Sequence, residues 1–294
     1  MTTIGFLACE TTVPGAGERR GDAYEHDLMI AALEPAFAAE GLDLRVIDWE
    51  APIDAFEGVD LAILGTSWNY QDKPEAFLAR LEELEQAGTV VCNAPQIVRW
   101  NGRKTYLREL AKRGASTIPT LWKERLDAGE ALAAFDELGS DRLVVKRQVG
   151  AGALGQQLLE RDKVDDNWRF DHPAMIQPFL PAIATEGELS FVFIDGEFSH
   201  ALRKLPAQGD YRIQSLYGGR ESVHEPSAEE EAAARSIVTA LPFETPLYAR
   251  IDMLRDADRL LLMEAELIEP YLYPEQGPEL GPRLARAIRK KCRK

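Results

Sequence analysis

Apolar residues in this chain fall into short blocks separated by polar, glycine-bearing connections. Ile4 to Cys9, Leu44 to Trp49, Asp60 to Gly65 and Thr89 to Cys92 have strand length, while His26 to Gly41 and Lys73 to Gly88 are apolar at helical spacing. Gly41 marks a helix end and Asp72 is placed to cap the second helix. Strands that are apolar almost throughout, alternating with amphipathic helices, predict a parallel sheet covered on both faces. In such sheets ligands sit beyond the carboxyl ends of the strands, which points to residues 10–25, 50–54 and 66–71.

The pattern changes after residue 100. Asn101 to Gly114 reads as one helix, Thr117 to Trp122 as a strand containing Pro119, and Ala128 to Gly139 as a helix. Strands follow at Arg142 to Lys146, Met175 to Gln177, Leu189 to Ile194 and Glu197 to Arg203, the last two joined by Asp195-Gly196, a strong hairpin signal. Ala228 to Leu241 is an Ala/Glu-rich helix. The strand Leu247 to Leu254 turns at Arg255 to Arg259 into Leu262 to Tyr273, and Leu280 to Lys294 is a terminal helix. The fold class is therefore α/β followed by α+β, without internal repeats or low-complexity linkers.

Composition narrows the function. A chain of 294 residues suggests two or three units. A net charge of -15 argues against nucleic acid as a partner, since phosphate backbones need a basic surface. The 3 cysteines, Cys9, Cys92 and Cys292, form no CxxC pair, which fits a reducing, cytoplasmic setting. No apolar run is long enough for a signal peptide core or a membrane span.

Chemistry concentrates in the last hairpin. Asp252, Glu264 and Glu266 interrupt two otherwise apolar strands; Glu264 and Glu266 leave one face, and a turn at Arg255 to Arg259 sets Asp252 opposite them. Buried carboxylates need positive charge among them, and Mg²⁺, or Mn²⁺ in its place, suits an all-oxygen set that also meets phosphates. A solvated edge strand with its acids in water is the competing reading. Lys146 ends a β-branched strand and is followed by Gly150, Gly152 and Gly155, a loop whose amides could approach phosphate oxygens. The spacing matches neither GxxxxGK[ST] nor GxGxxG. Lys104 stands near a helix start; Arg203, Lys204 and Arg212 flank a turn; Arg250 shares a strand face with Asp252.

In this order the pieces resemble the ATP-grasp fold: Lys104, Lys146 with its glycine loop, the hinge Gln177 to Pro181 (QPFLP), Arg212, then Asp252…Glu264-x-Glu266. The likeness covers essentially the whole chain and is nearest glutathione-synthetase-like ligases. Within them it is nearest a branch that includes the O-ureido-serine cyclo-ligase of cycloserine biosynthesis. GTSWNY (65–70), VRWNGRKTYLREL (98–110), EGELS (186–190) and LMEAELIEP (262–270) carry it. Two departures stand out. Arg147 occupies a position where Pro is usual, and Gly65-Thr66-Ser67 with Asn69 replace Arg-Ser-Thr and Asp, so the cycloserine substrate does not carry over.

The resemblance implies an N-terminal substrate-binding domain over residues 1–95 and a two-lobed ATP-grasp domain, 96–187 and 188–294, with ATP between the lobes. Lys104 and Lys146 would hold phosphates, backbone groups of Gln177 to Leu180 would meet adenine, and Phe179 or Met263 would pack on it. Glu188, with Glu186 as substitute, would hold the ribose. Asp252, Glu264 and Glu266 would bind Mg²⁺. Arg212 would stabilise the transferring phosphoryl group and Arg250 would orient an acyl-phosphate or carboxylate. Glu10, Thr66, Trp68, Asn69 and Tyr70 would line the pocket of a small amino-acid-like substrate, facing Arg212 and Arg250. The activity implied is carboxylate–amine ligation through an acyl-phosphate. The alternatives are a phosphotransferase or cyclo-ligase that joins no second substrate, and a nucleotide-binding regulator without catalysis. A homodimer is compatible with the sequence.

Overall fold

The computed structural model describes residues 1–15, 17–150, 155–213 and 215–292. Gly152 lies outside the described residues. Four strands, β1 (Thr2–Ala8), β2 (Leu42–Asp48), β3 (Leu61–Thr66) and β4 (Val90–Cys92), form a parallel sheet in the order β2-β1-β3-β4. Helices α1 (Tyr24–Ala39) and α2 (Pro74–Gln86) serve as crossovers. Gly41 takes φ +70° just past α1, a conformation glycine reaches without steric cost. The expected cap of α2 is corrected: Asp72 belongs to the preceding 3₁₀ turn, Lys73 is the N-cap without a side-chain bond, and Pro74 opens the helix with its preset φ.

The single helix expected over 101–114 is two, α3 (Pro95–Asn101) and α4 (Tyr106–Lys112), broken at Gly102 to Thr105. A second, antiparallel sheet has the order β5-β10-β7-β8 from β5 (Leu121–Lys123), β7 (Arg142–Arg147), β8 (Gln157–Glu160) and β10 (Ala174–Pro178). The short pair β6 (Leu126–Asp127) and β9 (Arg169–Phe170) flanks it. Of the expected strand Thr117 to Trp122, only Thr117 makes a bridge, to Leu262, before β5 begins past Pro119, which has no N–H to donate. Helix α5 (Ala128–Leu138) starts on a capping box, Asp127 with Glu130, and packs Ala131, Ala134 and Phe135 against Leu143 and Val145.

The third sheet, antiparallel, has the order β13-β12-β11-β14-β15. It comprises β11 (Glu188–Ile194), β12 (Glu197–Leu205), β13 (Arg220–His224), β14 (Tyr248–Asp256) and β15 (Arg259–Glu266), with α6 (Ala182–Thr185), α7 (Ala228–Ala240) and α8 (Leu280–Cys292) around it. Asp195 (φ 49°) and Gly196 (φ 79°) make the β11–β12 turn, as two left-handed residues do in a tight hairpin. Every residue of β11 is buried. Leu189, Phe191 and Phe193 enter a core with α4 and α7, while Val192 and Ile194 enter another with α1 and α8. Helix α8 meets α1 closely enough that a Cβ on Gly281 would collide with the Ala32 carbonyl. Among the described residues no helix is long and apolar enough to cross a membrane.

One irregularity positions the chemistry. The expected strand to Tyr273 stops at Glu266, and its ladder with β14 shifts register: Met253 pairs with Leu262, but Asp252 pairs with Glu264. Met263 is the extra residue of a β-bulge. Before it, Leu260 and Leu262 face the α4–α7 core; after it, Ala265 and Leu267 do. The bulge therefore turns Glu264 and Glu266 to the face that carries Asp252 and Arg250. Without it, the acids would continue the parity of Leu262 and point into the hydrocarbon core.

Candidate active site

A strip of polar side chains crosses four strands of the third sheet. In register, Glu188 opposes Lys204, Ser190 opposes Asp252, Asp252 opposes Glu264, and Arg250 opposes Glu266. Lys204 Nζ donates to Glu188 Oε1 at 3.0 Å and lies 3.6 Å from Asp252 Oδ1. Ser190 Oγ donates to Asp252 at 2.6 Å. Arg250 holds Asp252 through Nε and Nη2 (3.1 and 2.9 Å), donates to the Tyr271 carbonyl at 3.0 Å and pairs with Glu266. Lys104 pairs with Glu264. Burial pushes Asp252 up, but Arg250 and Lys204 outweigh it and hold the carboxyl down at about 2. Burial and Arg250 oppose the charge on Lys204, yet Asp252 and Glu188 keep its pKa above the usual lysine range. Burial pushes Glu188 up to about 7 against the pull of Lys204, and its Oε2 is buried without a partner.

This strip forms one wall of a cavity between the second and third sheets. Strand β7 brings Lys146 to the opposite wall. No carboxylate or hydrogen-bond acceptor is bonded to Lys146 among the described residues, and burial lowers its pKa to about 8. The other end of the cavity is apolar, lined by Ile118, Val144, Phe179, Ile183, Leu254 and Met263. Gln177 and Leu180 border that end, and the Phe179 N–H is already bonded to the Arg142 carbonyl at 2.9 Å. The cavity thus has a charged end and an aromatic-aliphatic end, the form of a site for an anion with a flat apolar body.

Of the expected residues, Lys104, Lys146, Gly150, Gln177, Phe179, Leu180, Glu188, Arg212, Arg250, Asp252, Met263, Glu264 and Glu266 line this one cavity. Arg212 does so while forked onto Asp210 (2.7 Å) and stacked on Tyr217. Gly155 is not among the lining residues; it takes φ +70°, and a Cβ there would meet the Arg147 guanidinium. Glu186 does not line this cavity and pairs with Arg255 at 2.8 Å. The expected substrate group does not line this cavity. Glu10 is exposed, Thr66 is buried on His26 Nδ1 at 2.6 Å, and Asn69 spends its amide on Trp49 and Glu50. Trp68 donates to the Glu269 carbonyl at 3.1 Å and lies under Arg20. Tyr70 lines a separate, adjoining cavity, and neither Arg212 nor Arg250 faces that one.

Sequence reading placed Lys204 only in a basic group with Arg203 and Arg212 at a turn, and left Tyr273 without a role. Both line the first cavity, and the Tyr273 ring faces Lys204 at 5.1 Å and Arg250 at 5.5 Å. The signal for Lys204 was parity: it shares a face of β12 with the buried His200 and Leu202. As donors for a hard cation, Glu264 and Glu266 reach the cavity, and Asp252 adjoins them. Each now pairs with a cation, and no group of three potential ligands converges among the described residues. The oxygen-only chemistry of the set fits Mg²⁺.

Two family models match the chain. Residues 4–93 match the N-terminal domain of D-cycloserine synthetase DcsG, and residues 163–270 match the ATP-grasp domain of prokaryotic glutathione synthetase. The glutathione synthetase of Parasynechococcus marenigrum (strain WH8102) is 30% identical over 260 residues, 81% of this chain and 80% of that one. The chain belongs to the ATP-grasp ligases. The cycloserine biosynthesis protein DcsG of Streptomyces lavendulae is 27% identical over 269 residues, 84% of this chain and 88% of the relative. The crystal structure of D-cycloserine synthetase DcsG superposes with a TM-score of 0.82 at 22% identity, covering 98% of this chain and 99% of that chain. D-alanine–D-alanine ligase from Bacillus anthracis gives 0.66 at 17% identity, covering 99% and 97%. This ATP-grasp protein is an ATP-dependent ligase that forms carbon–nitrogen bonds.

Proposed function

We propose that this ATP-grasp ligase joins the carboxylate of a small amino-acid-like substrate to an amine through an acyl-phosphate, with ATP in the cavity between the second and third sheets. The observation that carries the reading is Lys146, an ammonium with no anion of its own, set across the cavity from carboxylates that each have a cation. Such an arrangement lacks one polyanion. Adenine would occupy the apolar end, where the Leu180 N–H has no backbone partner among the described residues. The phosphates would meet Lys104, Lys146 and Lys204. Residues 1–95, 96–187 and 188–294 would act as substrate-binding domain and two nucleotide lobes.

Glu264 and Glu266, with Asp252 beside them, would hold Mg²⁺, which neutralises phosphate charge in transfer. A substrate carboxylate oxygen attacks the γ-phosphorus, the bridging bond breaks and ADP leaves. The amine nitrogen then attacks the acyl carbon, phosphate departs with the electron pair, and the nitrogen gives up its extra proton. Lys204 and Arg250 are already oriented by Glu188 and Asp252, so they need no reorganisation as charge develops. Binding ATP would draw Lys104 from Glu264 to phosphate and free that carboxylate.

The test is phosphate release from Mg-ATP with pooled amino acids. Wild-type protein should release phosphate with at least one pool, and Glu264→Gln should lose that activity while keeping its fold. Near-normal turnover of Glu264→Gln at saturating Mg²⁺, or no release with any pool, would sink the reading.

A further inference from the structure

The adjoining cavity, about 260 Å³, shares Lys104, Gly150, Glu264 and Glu266 with the first and so opens onto its charged end. Its remaining wall comes from other parts of the fold: Tyr70, Gln71 and Leu78 of the first domain, Val98 of α3, and Ile268 and Glu269 beyond β15. The chain after β15 is irregular yet pinned. Tyr248 Oη donates to the Ile268 carbonyl at 2.8 Å, and Trp68 Nε1 donates to the Glu269 carbonyl at 3.1 Å.

The charges of this cavity do not balance. Lys104 is paired with Glu264, Arg99 with Glu82, Glu266 with Arg250, and Arg103 with Glu124 at 3.9 Å; Arg103 also donates to the Gln148 side chain at 2.8 Å, and the lining Glu75 is exposed. Glu269 has no cation among the described residues; its carboxylate receives the Gln71 amide, at 3.4 Å, and the Tyr70 hydroxyl, both neutral donors. Burial, and after it Glu266, push Glu269 up to about 8. A carboxylate in a cavity also lined by Leu78, Val98 and Ile268, without a counter-charge, is costly unless a ligand supplies one. The complement of that wall is a primary ammonium on a short carbon chain.

We propose that this second cavity takes the acceptor amine, its ammonium held by Glu269 and its carbon chain by Leu78, Val98 and Ile268, with Gln71 fixing the carboxylate. The inference rests on the ligase reading above, since only a ligase brings a second substrate. The shared rim at Glu264 and Glu266 then delivers the nitrogen to the end where the carboxylate is activated.

The experiment is saturation-transfer NMR on the full chain with Mg²⁺ and AMPPNP, using propylamine and butylamine against 1-propanol and 1-butanol. The amines should show transfer and the alcohols little. Glu269→Gln should weaken amine binding about tenfold or more, and Leu78→Trp should remove it by filling the cavity. AMPPNP affinity should stay within about twofold in both variants, because neither residue lines the first cavity. Equal amine binding in Glu269→Gln, no effect of Leu78→Trp, or no amine binding to wild type overturns the assignment while AMPPNP binding leaves the ligase reading standing. If AMPPNP itself does not bind, the ligase reading falls and this inference with it.

Discussion

Lys146 keeps its charge against its surroundings. Burial lowers its pKa to about 8, below the ~10.4 of a free lysine. The sign for the nucleotide-free fold follows. Between those values the unfolded chain holds a proton that the folded chain has lost, so this residue makes stability rise with pH. Phosphate affinity runs the other way, because only the protonated form attracts the polyanion. The Kd for AMPPNP should therefore increase about tenfold per pH unit above 8, and Lys146→Met should show a weak, flat profile. Calorimetric titration at several pH values checks this; a flat wild-type profile counts against Lys146 as a phosphate ligand. Single residues were legible where they broke a pattern. Asp252, Glu264 and Glu266 interrupt apolar strands, so the face shared by Glu264 and Glu266 could be read from spacing, while their sharing it with Asp252 depends on the register shift at Met263. Asn69 could not be read, because nothing local shows that Trp49 and Glu50 consume its amide.

At the scale of elements, the two short helices α3 and α4 grip the back of β15. Asn101 donates to the Ala265 carbonyl at 2.8 Å and accepts from the Leu267 N–H at 3.0 Å, and the Ala265 N–H donates to Tyr106 Oη at 2.9 Å. These bonds hold the strand beyond its bulge, where it has no further neighbour in the sheet, and so fix the direction of Glu264 and Glu266. Asn101→Ala leaves a buried N–H and a buried carbonyl unpaired. It should cost about 2–4 kcal/mol in urea denaturation, with Asn101→Asp recovering only the bond from Leu267. A loss under about 0.5 kcal/mol would show that water replaces the amide. The elements were legible where period and punctuation agreed, as at the Asp195-Gly196 turn and the alternation of β1 to β4. The bulge at Met263 and the break at Gly102 to Thr105 were not, since both answer to contacts across the fold. A strand carrying an extra residue looks, in one dimension, like a strand with the wrong parity.

At the scale of the molecule, the first cavity draws its walls from the second and third sheets and the segments next to them, and among the described residues from none before Lys104. Among the described residues, the parallel domain reaches instead the second cavity, by way of Tyr70, Gln71, Pro74, Glu75 and Leu78. Its fold class was legible from strand–helix alternation, but the convergence of Lys146 with Glu264 from separate sheets came only from the order of motifs. This division predicts how ligands act on the whole chain. A nucleotide spanning two sheets binds the folded state alone, so AMPPNP at a hundredfold its Kd should add about 2.7 kcal/mol to stability. For a chain of this size that raises Tm by roughly 5–10 °C. Lys204→Met removes a cation buried between Glu188 and Asp252, so it should destabilise the free protein by about 3–5 kcal/mol. It should also lose most of the nucleotide-induced gain. Tyr70→Phe, at the second cavity, should leave that gain intact. Thermal denaturation with and without AMPPNP separates the cases: a Lys204→Met protein that keeps the full gain would mean the phosphates sit elsewhere.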